Sequence, residues 1–251
     1  MPEIPAAART LDGDLRDVFG ARIRSVVVYG IHAREAEQRH AGDGHGSSGH
    51  GGEAPPLHIL AVVDSLTPDD LRACAVRLPG WHDVGLATPL LLASDEFARS
   101  LDVFSFELSA IIADHIVVSG ERPFDGIRVE AADLRQACEV QARGHLLHLR
   151  QAFMETRGRA DALAVLIVHS APAWAALLQN VARLDGHASH DRSAAARHVE
   201  RLLAVTNGVE EIVNLAGVKE IPSADALRIF PGYIDAAERL TKYVDRWSQA
   251  K

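Results

Sequence analysis

Apolar residues in the first half of the chain gather into short runs rich in β-branched side chains. Arg24-Ser25-Val26-Val27-Val28-Tyr29, closed by Gly30, and residues 57–63, closed by Asp64-Ser65, predict two buried strands. Thr67 suits a helix N-cap, with Pro68 at the first helical position and Asp69 and Asp70 in the first turn. That helix is expected to run to about Arg77 and to stop before Pro79-Gly80. Residues 89–93 predict a third strand leading into Ser94 as an N-cap, with Asp95 and Glu96 on the helix dipole. A helix over residues 104–113 and a fourth short strand from His115 to Gly120 complete this half.

From residue 131 the strand pattern gives way to helical spacing. Leu134, Cys138, Ala142, Leu146, Leu149 and Phe153 recur at steps of three and four, which predicts an amphipathic helix over 133–156. Further helices fit 160–184, 193–206, 210–215 and 223–249. Breaks are expected at Gly158, Asp185-Gly186 and Asn207-Gly208 and near Pro222 and Pro231, and Pro172 should kink or split its helix. The pattern therefore predicts an α+β domain over residues 1–129, built on a mixed sheet of four to five short strands. An all-α helical bundle is expected over 130–251, with the boundary in PFDGIRVEA at 123–131.

Composition narrows the picture. The 251 residues are 47% hydrophobic and 24% charged, ordinary globular values. Net charge is −8, which argues against broad electrostatic binding of nucleic acid and leaves room only for a local basic groove. The two cysteines, Cys74 and Cys138, cannot form a disulfide framework, and MPEIPAAARTLDGDLRD carries no signal-peptide core. No run approaches the ~18 apolar residues of a membrane span. A cytoplasmic protein without membrane association is the expectation. The surfaces of an open sheet and a helical bundle are compatible with a homodimer, but no residue specifies a partner.

Histidine is the unusual component, at 13 residues. RHAGDGHGSSGHGGEAPP, residues 39–56, has no apolar side chain larger than alanine, so a mobile His/Gly-rich loop is expected between the first two strands.

A strand ending in Gly30, a helical segment from Ala33, further strand–helix units and a terminal bundle together resemble the nucleotidyltransferase superfamily. DNA polymerase beta and the aminoglycoside adenylyltransferases share that fold. The likeness covers nearly the whole chain and includes Phe124-Asp125-Gly126-Ile127, Asp133-Leu134-Arg135 and the run from Arg143 to Arg150. It implies a Gly-Ser phosphate site after the first strand and an Asp-x-Asp pair opening the second, whose carboxylates hold two Mg²⁺. Here Gly30 is followed by Ile31 and His32, and Pro56 and His58 fall at the Asp-x-Asp positions. Residues 89–93 supply no third carboxylate, and Asp64 lies about six residues, or ~20 Å, along its strand from the metal position. In this family the helix after the boundary flanks the nucleotide cleft, so the resemblance implies that Arg143 or Arg150 touches an anion there. The resulting reading is a nucleotidyltransferase-like protein with a degenerate site, acting as a binding or interaction module. Vestigial nucleotide contacts would come from Gly30, Ile31, His32, His58 and Arg143. One alternative is an active enzyme with a displaced carboxylate set drawn from Asp64, Asp95, Glu96 and Glu107.

A second alternative uses the loop. His40, His45 and His50, with Asp43 and Glu53, could hold Zn, Ni or Cu near His32 and His58. A solvated low-complexity insertion explains the same composition, and its spacing matches no helix or strand ligand set. His145/His148 and His187/His190 are each three apart, which puts each pair on one helix face and supplies no third ligand. Arg135, Glu139 and Arg143 form an i, i+4 charge ladder. Ser170 beside His169 lacks a nucleophile elbow, and Arg-x(4–6)-His matches such as Arg192/His198 occur at chance frequency.

Overall fold

The computed structural model describes residues 4–30, 56–101, 103–205 and 208–248. The chain divides into two compact units, Met1–Val129 and Glu130–Lys251.

The first unit is built on a four-stranded mixed sheet in the order β3-β2-β1-β4: β1 (Ile23–Tyr29), β2 (His58–Val63), β3 (Leu90–Ala93) and β4 (His115–Gly120). β1 is antiparallel to both β2 and β4, and β2 is parallel to β3. The central strands read as continuous apolar runs because both of their faces are covered. One face packs Val26, Val28, Ile59, Ala61 and Val63 against α1 (Ala6–Phe19) and α2 (Pro68–Asp83). The other packs Val27, Leu60 and Val62 against α3 (Ser94–Ser100), α4 (Ser105–Ala113) and Phe124. At the end of β4 the chain must be glycine: Gly120 has φ +82°, and a Cβ there would lie 2.1 Å from the Arg24 carbonyl oxygen.

Three expectations change in this unit. α1 was not foreseen, although Ala8, Leu11, Leu15 and Phe19 form its fully buried stripe. α2 continues through Pro79 to Asp83, held by Trp81, whose buried indole Nε1–H donates to Asp14 on α1 at 2.7 Å. Ser94 is the first residue of α3 and does not cap it. The Glu96 carboxylate accepts from the Ala93 N–H at 2.9 Å, and the Ser94 hydroxyl donates to the Val63 carbonyl at 3.0 Å.

The start of α2 carries a dense polar cluster. Arg22 donates to both oxygens of Asp70, at 2.8 and 2.6 Å, while the Thr67 N–H and hydroxyl donate to the same carboxylate. The Asp70 N–H donates back to Thr67 Oγ1 at 3.2 Å, which completes a capping box. The Arg22 guanidinium holds the Asp70 carboxyl well below the usual carboxylate range. Asp70→Ala removes the cap and leaves Arg22 only the Ser65 carbonyl, so the first unit is expected to lose about 1 kcal/mol in chemical denaturation. No measurable loss would show that neither the cap nor the pair contributes.

The second unit is helical: α5 (Ala131–Glu155), α6 (Ala160–Leu184), α7 (Arg192–Leu203), the short α8 (Val209–Val213) and α9 (Ser223–Arg246). α5, α6 and α9 pack on one another, and α7 and α8 close against α6. Leu134, Cys138, Ala142, Leu146 and Leu149 are buried as their spacing predicts, while Phe153 is partly exposed and stacks on Phe230 at 4.4 Å. Neither proline ends its helix: α6 runs through Pro172 and α9 through Pro231. α6 also departs from the expectation that no segment approaches membrane-span length. It is long and apolar enough to cross a bilayer, and half of its most apolar window is buried in the bundle.

Candidate functional site

The end of the sheet at Gly30 is where the resemblance places phosphate and metal. Gly30 has φ +73°, the left-handed region that glycine adopts without strain, and its N–H donates to the Asp114 carbonyl at 2.9 Å. That donor is therefore engaged within the fold. In register across the strands, Tyr29 of β1 lies opposite His58 of β2 on one side and His115 of β4 on the other. Directly opposed residues share a face of the sheet, so the end of the sheet carries an imidazole–phenol–imidazole row. The Tyr29 and His58 rings stack at 5.4 Å with 26° between their planes. His115 meets the edge of Phe124 at 4.7 Å, and its Nδ1 bonds to the Ile112 carbonyl at 2.9 Å.

His58 is exposed and Tyr29 half-buried; desolvation lowers the His58 pKa and raises that of Tyr29, which favours the neutral form of each ring. Neutral imidazole and phenol offer stacking and single hydrogen bonds. They are poor ligands for Mg²⁺, which prefers hard, anionic oxygen. Pro56 adds no ligand at the other motif position. Among the described residues, no group of three or more His, Cys, Asp or Glu side chains could hold a metal ion.

The displaced carboxylates do not converge among the described residues. Asp64 lies at the far end of β2, its N–H bonded to the Arg22 carbonyl and its carboxylate paired with Arg24. Asp95 pairs with Arg99 at 2.7 Å, Glu96 caps α3, and Glu107 lies in the first turn of α4. Of the sequence-derived site, the structure brings Gly30 and His58 to one end of the sheet. Ile31, His32, His40, His45 and His50 lie outside the described residues, as do Asp43 and Glu53. Arg143 belongs to the second unit, and its guanidinium is held by Glu139 at 2.9 Å and Asp245 at 2.6 Å. Arg135 completes the expected ladder on Glu139 at 2.8 Å. Tyr29, Asp114 and His115 join this region without having been singled out. Their signal was positional, since each stands at an end of a strand or immediately before one.

The bundle histidines resolve differently. His148 is exposed, whereas His145 stacks on Trp174 at 5.2 Å. Tyr233 donates to Ser170 Oγ at 3.0 Å and Ser170 donates to the Ile167 carbonyl at 3.0 Å. The Tyr233 oxygen is thus left to accept from His145 Nε2–H at 2.8 Å. Ser170 is the end of a hydrogen-bonded chain, with its own proton committed to a backbone carbonyl. His187 and His190 do not share a helix face, because both lie between α6 and α7. His187 instead stacks on His198 at 4.3 Å, and His198 Nε2 bonds to Asp185 at 2.9 Å. Cys74 and Cys138 are buried free thiols. In comparisons with known proteins, the chain matches no family model and no curated protein.

Proposed function

We propose that this chain is a nucleotidyltransferase-like protein whose transfer chemistry is lost and whose role is binding. Two features support the scaffold. The order of elements, α1-β1-β2-α2-β3-α3-α4-β4 around a mixed sheet and then a helical unit, follows the resemblance. A left-handed Gly30 closes β1 where the phosphate site belongs. The observation that carries the loss of chemistry is His58. At a position where the family has a metal-binding aspartate, its imidazole stacks on Tyr29, with its pKa lowered by desolvation. Among the described residues no carboxylate stands beside that ring, and an imidazole alone is a poor ligand for two Mg²⁺ on a triphosphate.

The test is a titration of Mn²⁺, a spin-active substitute for Mg²⁺, followed by electron paramagnetic resonance with ATP present. The chain should hold no Mn²⁺ beyond what ATP alone holds. A protein-bound Mn²⁺ signal that disappears in His58→Ala would overturn the reading and favour an active site assembled around that residue.

A further inference from the structure

The charges of α9 separate into two seams. Glu238 and Asp245, seven residues apart, reach across to α5 and pair with Arg150 at 2.7 Å and Arg143 at 2.6 Å. Asp235, Arg239, Lys242 and Arg246 follow one another at steps of four, three and four, so they line a second face of the same helix. Asp235 holds Arg239 at 2.9 Å. Lys242 and Arg246 are exposed and pair with no carboxylate among the described residues. The helix dipole favours a cation over the last turn, which accounts for Arg246 alone. In a chain of net charge −8 with three lysines, this seam is a local reversal of sign.

The seam borders a groove. A cavity of about 350 Å³ is lined by Arg239, Lys242 and Arg246, by Tyr243 and Trp247, and by the Leu202–Leu203 end of α7. Tyr243 is fixed in place, since its hydroxyl donates to Asp185 at 2.8 Å and the same carboxylate anchors His198. Trp247 ends α9, its N–H bonded to the Val244 carbonyl at 3.3 Å, and its ring is half-buried. Cations and aromatic rings on one apolar floor suit a ligand that is anionic at one end and flat at the other. Aromatic side chains offer faces on which a planar base stacks. Guanidinium and ammonium groups supply charge-assisted bonds to phosphate. Lys242 and Arg246 stand one turn apart, ~6 Å along the axis, so a short phosphate chain can reach both. The volume lies near the lower end of the range of roughly 300–1,000 Å³ for small-molecule sites.

We propose that this groove in the helical unit binds a nucleoside diphosphate, with its base against Trp247 and its phosphates on Lys242 and Arg246. The site lies wholly within the second unit and needs no metal ion. It is independent of the sheet end at Gly30.

Calorimetric titration of the full chain with ADP, adenosine and pyrophosphate, without divalent metal, tests it. ADP should bind at least tenfold more tightly than either fragment, and its affinity should fall as salt rises. The double variant Lys242→Glu/Arg246→Glu should weaken ADP at least tenfold, and Trp247→Ala several-fold. Because Lys242 and Arg246 are exposed, the double variant should melt like the parent chain. His58→Ala should leave ADP binding unchanged. Absence of ADP binding would overturn the proposal, as would equal affinity for ADP and pyrophosphate, or for ADP and adenosine. Binding that survives the double variant, or that depends on His58, would likewise place the ligand elsewhere.

Discussion

Replacing Trp174 with alanine is expected to destabilise the helical unit by about 4 kcal/mol, the largest effect of any single substitution in this bundle. The side chain is fully buried at the meeting of α5, α6 and α9. Its ring lies 5.2 Å from His145 on one side and 5.3 Å from Tyr233 on the other. Alanine leaves a cavity that three helices cannot close without moving the hydrogen-bonded chain from His145 to Ser170. The indole Nε1 has no hydrogen-bond partner among the described residues. Trp174→Phe therefore deletes a donor that was already unpaired, and it should retain more than half of the stability that alanine loses. Urea denaturation followed by circular dichroism measures both. A Trp174→Ala loss under about 1.5 kcal/mol would show that the three helices repack freely.

Acid should weaken the same unit through His145. Burial, aided by the nearby His148 charge, pushes the His145 pKa down to about 4, against 6.5 for a free imidazole. A histidine with a depressed pKa binds its proton more readily when the chain is unfolded. Its contribution is thus whole above about pH 6.5 and is lost as pH falls from there towards 4. That difference corresponds to about 3 kcal/mol once the pH is below both values. His145→Gln keeps an amide donor for the Tyr233 oxygen and cannot titrate, so its stability should fall less steeply across the same window. Denaturation midpoints between pH 7 and 4 provide the comparison. Equal slopes for the parent and His145→Gln chains would assign the acid sensitivity to other groups.

Much of the architecture was legible in the pattern of apolar residues, and the failures share a physical origin. β1 and β2 were readable because strands buried on both faces become unbroken apolar runs. The α5 stripe was readable because its buried positions keep helical spacing. The helices expected to stop at Pro79 and to break near Pro231 run through those prolines, and the helix at Pro172 is not split. In each helix an aromatic residue two positions later is buried: Trp81, Trp174 and Tyr233. A proline inside a helix costs roughly 3 kcal/mol. Burying a large aromatic side chain and its neighbours recovers a similar amount. Tertiary packing therefore overrode a local preference, and nothing local in sequence announces that. α1 is hard to read for the opposite reason: its buried stripe is sparse, and it is interleaved with charged residues and a glycine.

The site was legible only by what it lacks. Ile31, Pro56 and His58 could be read as departures from a motif, and the structure adds the setting of His58 in a row with Tyr29 and His115. That row depends on strand register, which a single sequence does not reveal. The groove on α9 was hidden for a similar reason. Its cations are spread over eight residues, and only the packing of α7 beside them makes a cavity.

The proposed loss of nucleotidyl transfer has a direct chemical readout. Incubating the chain with radiolabelled ATP, Mg²⁺ or Mn²⁺ and a panel of hydroxyl-bearing acceptors, including the chain itself, tests this most directly. No transfer of label above a protein-free control is expected. Transfer that depends on the divalent metal and is abolished by His58→Ala would contradict it.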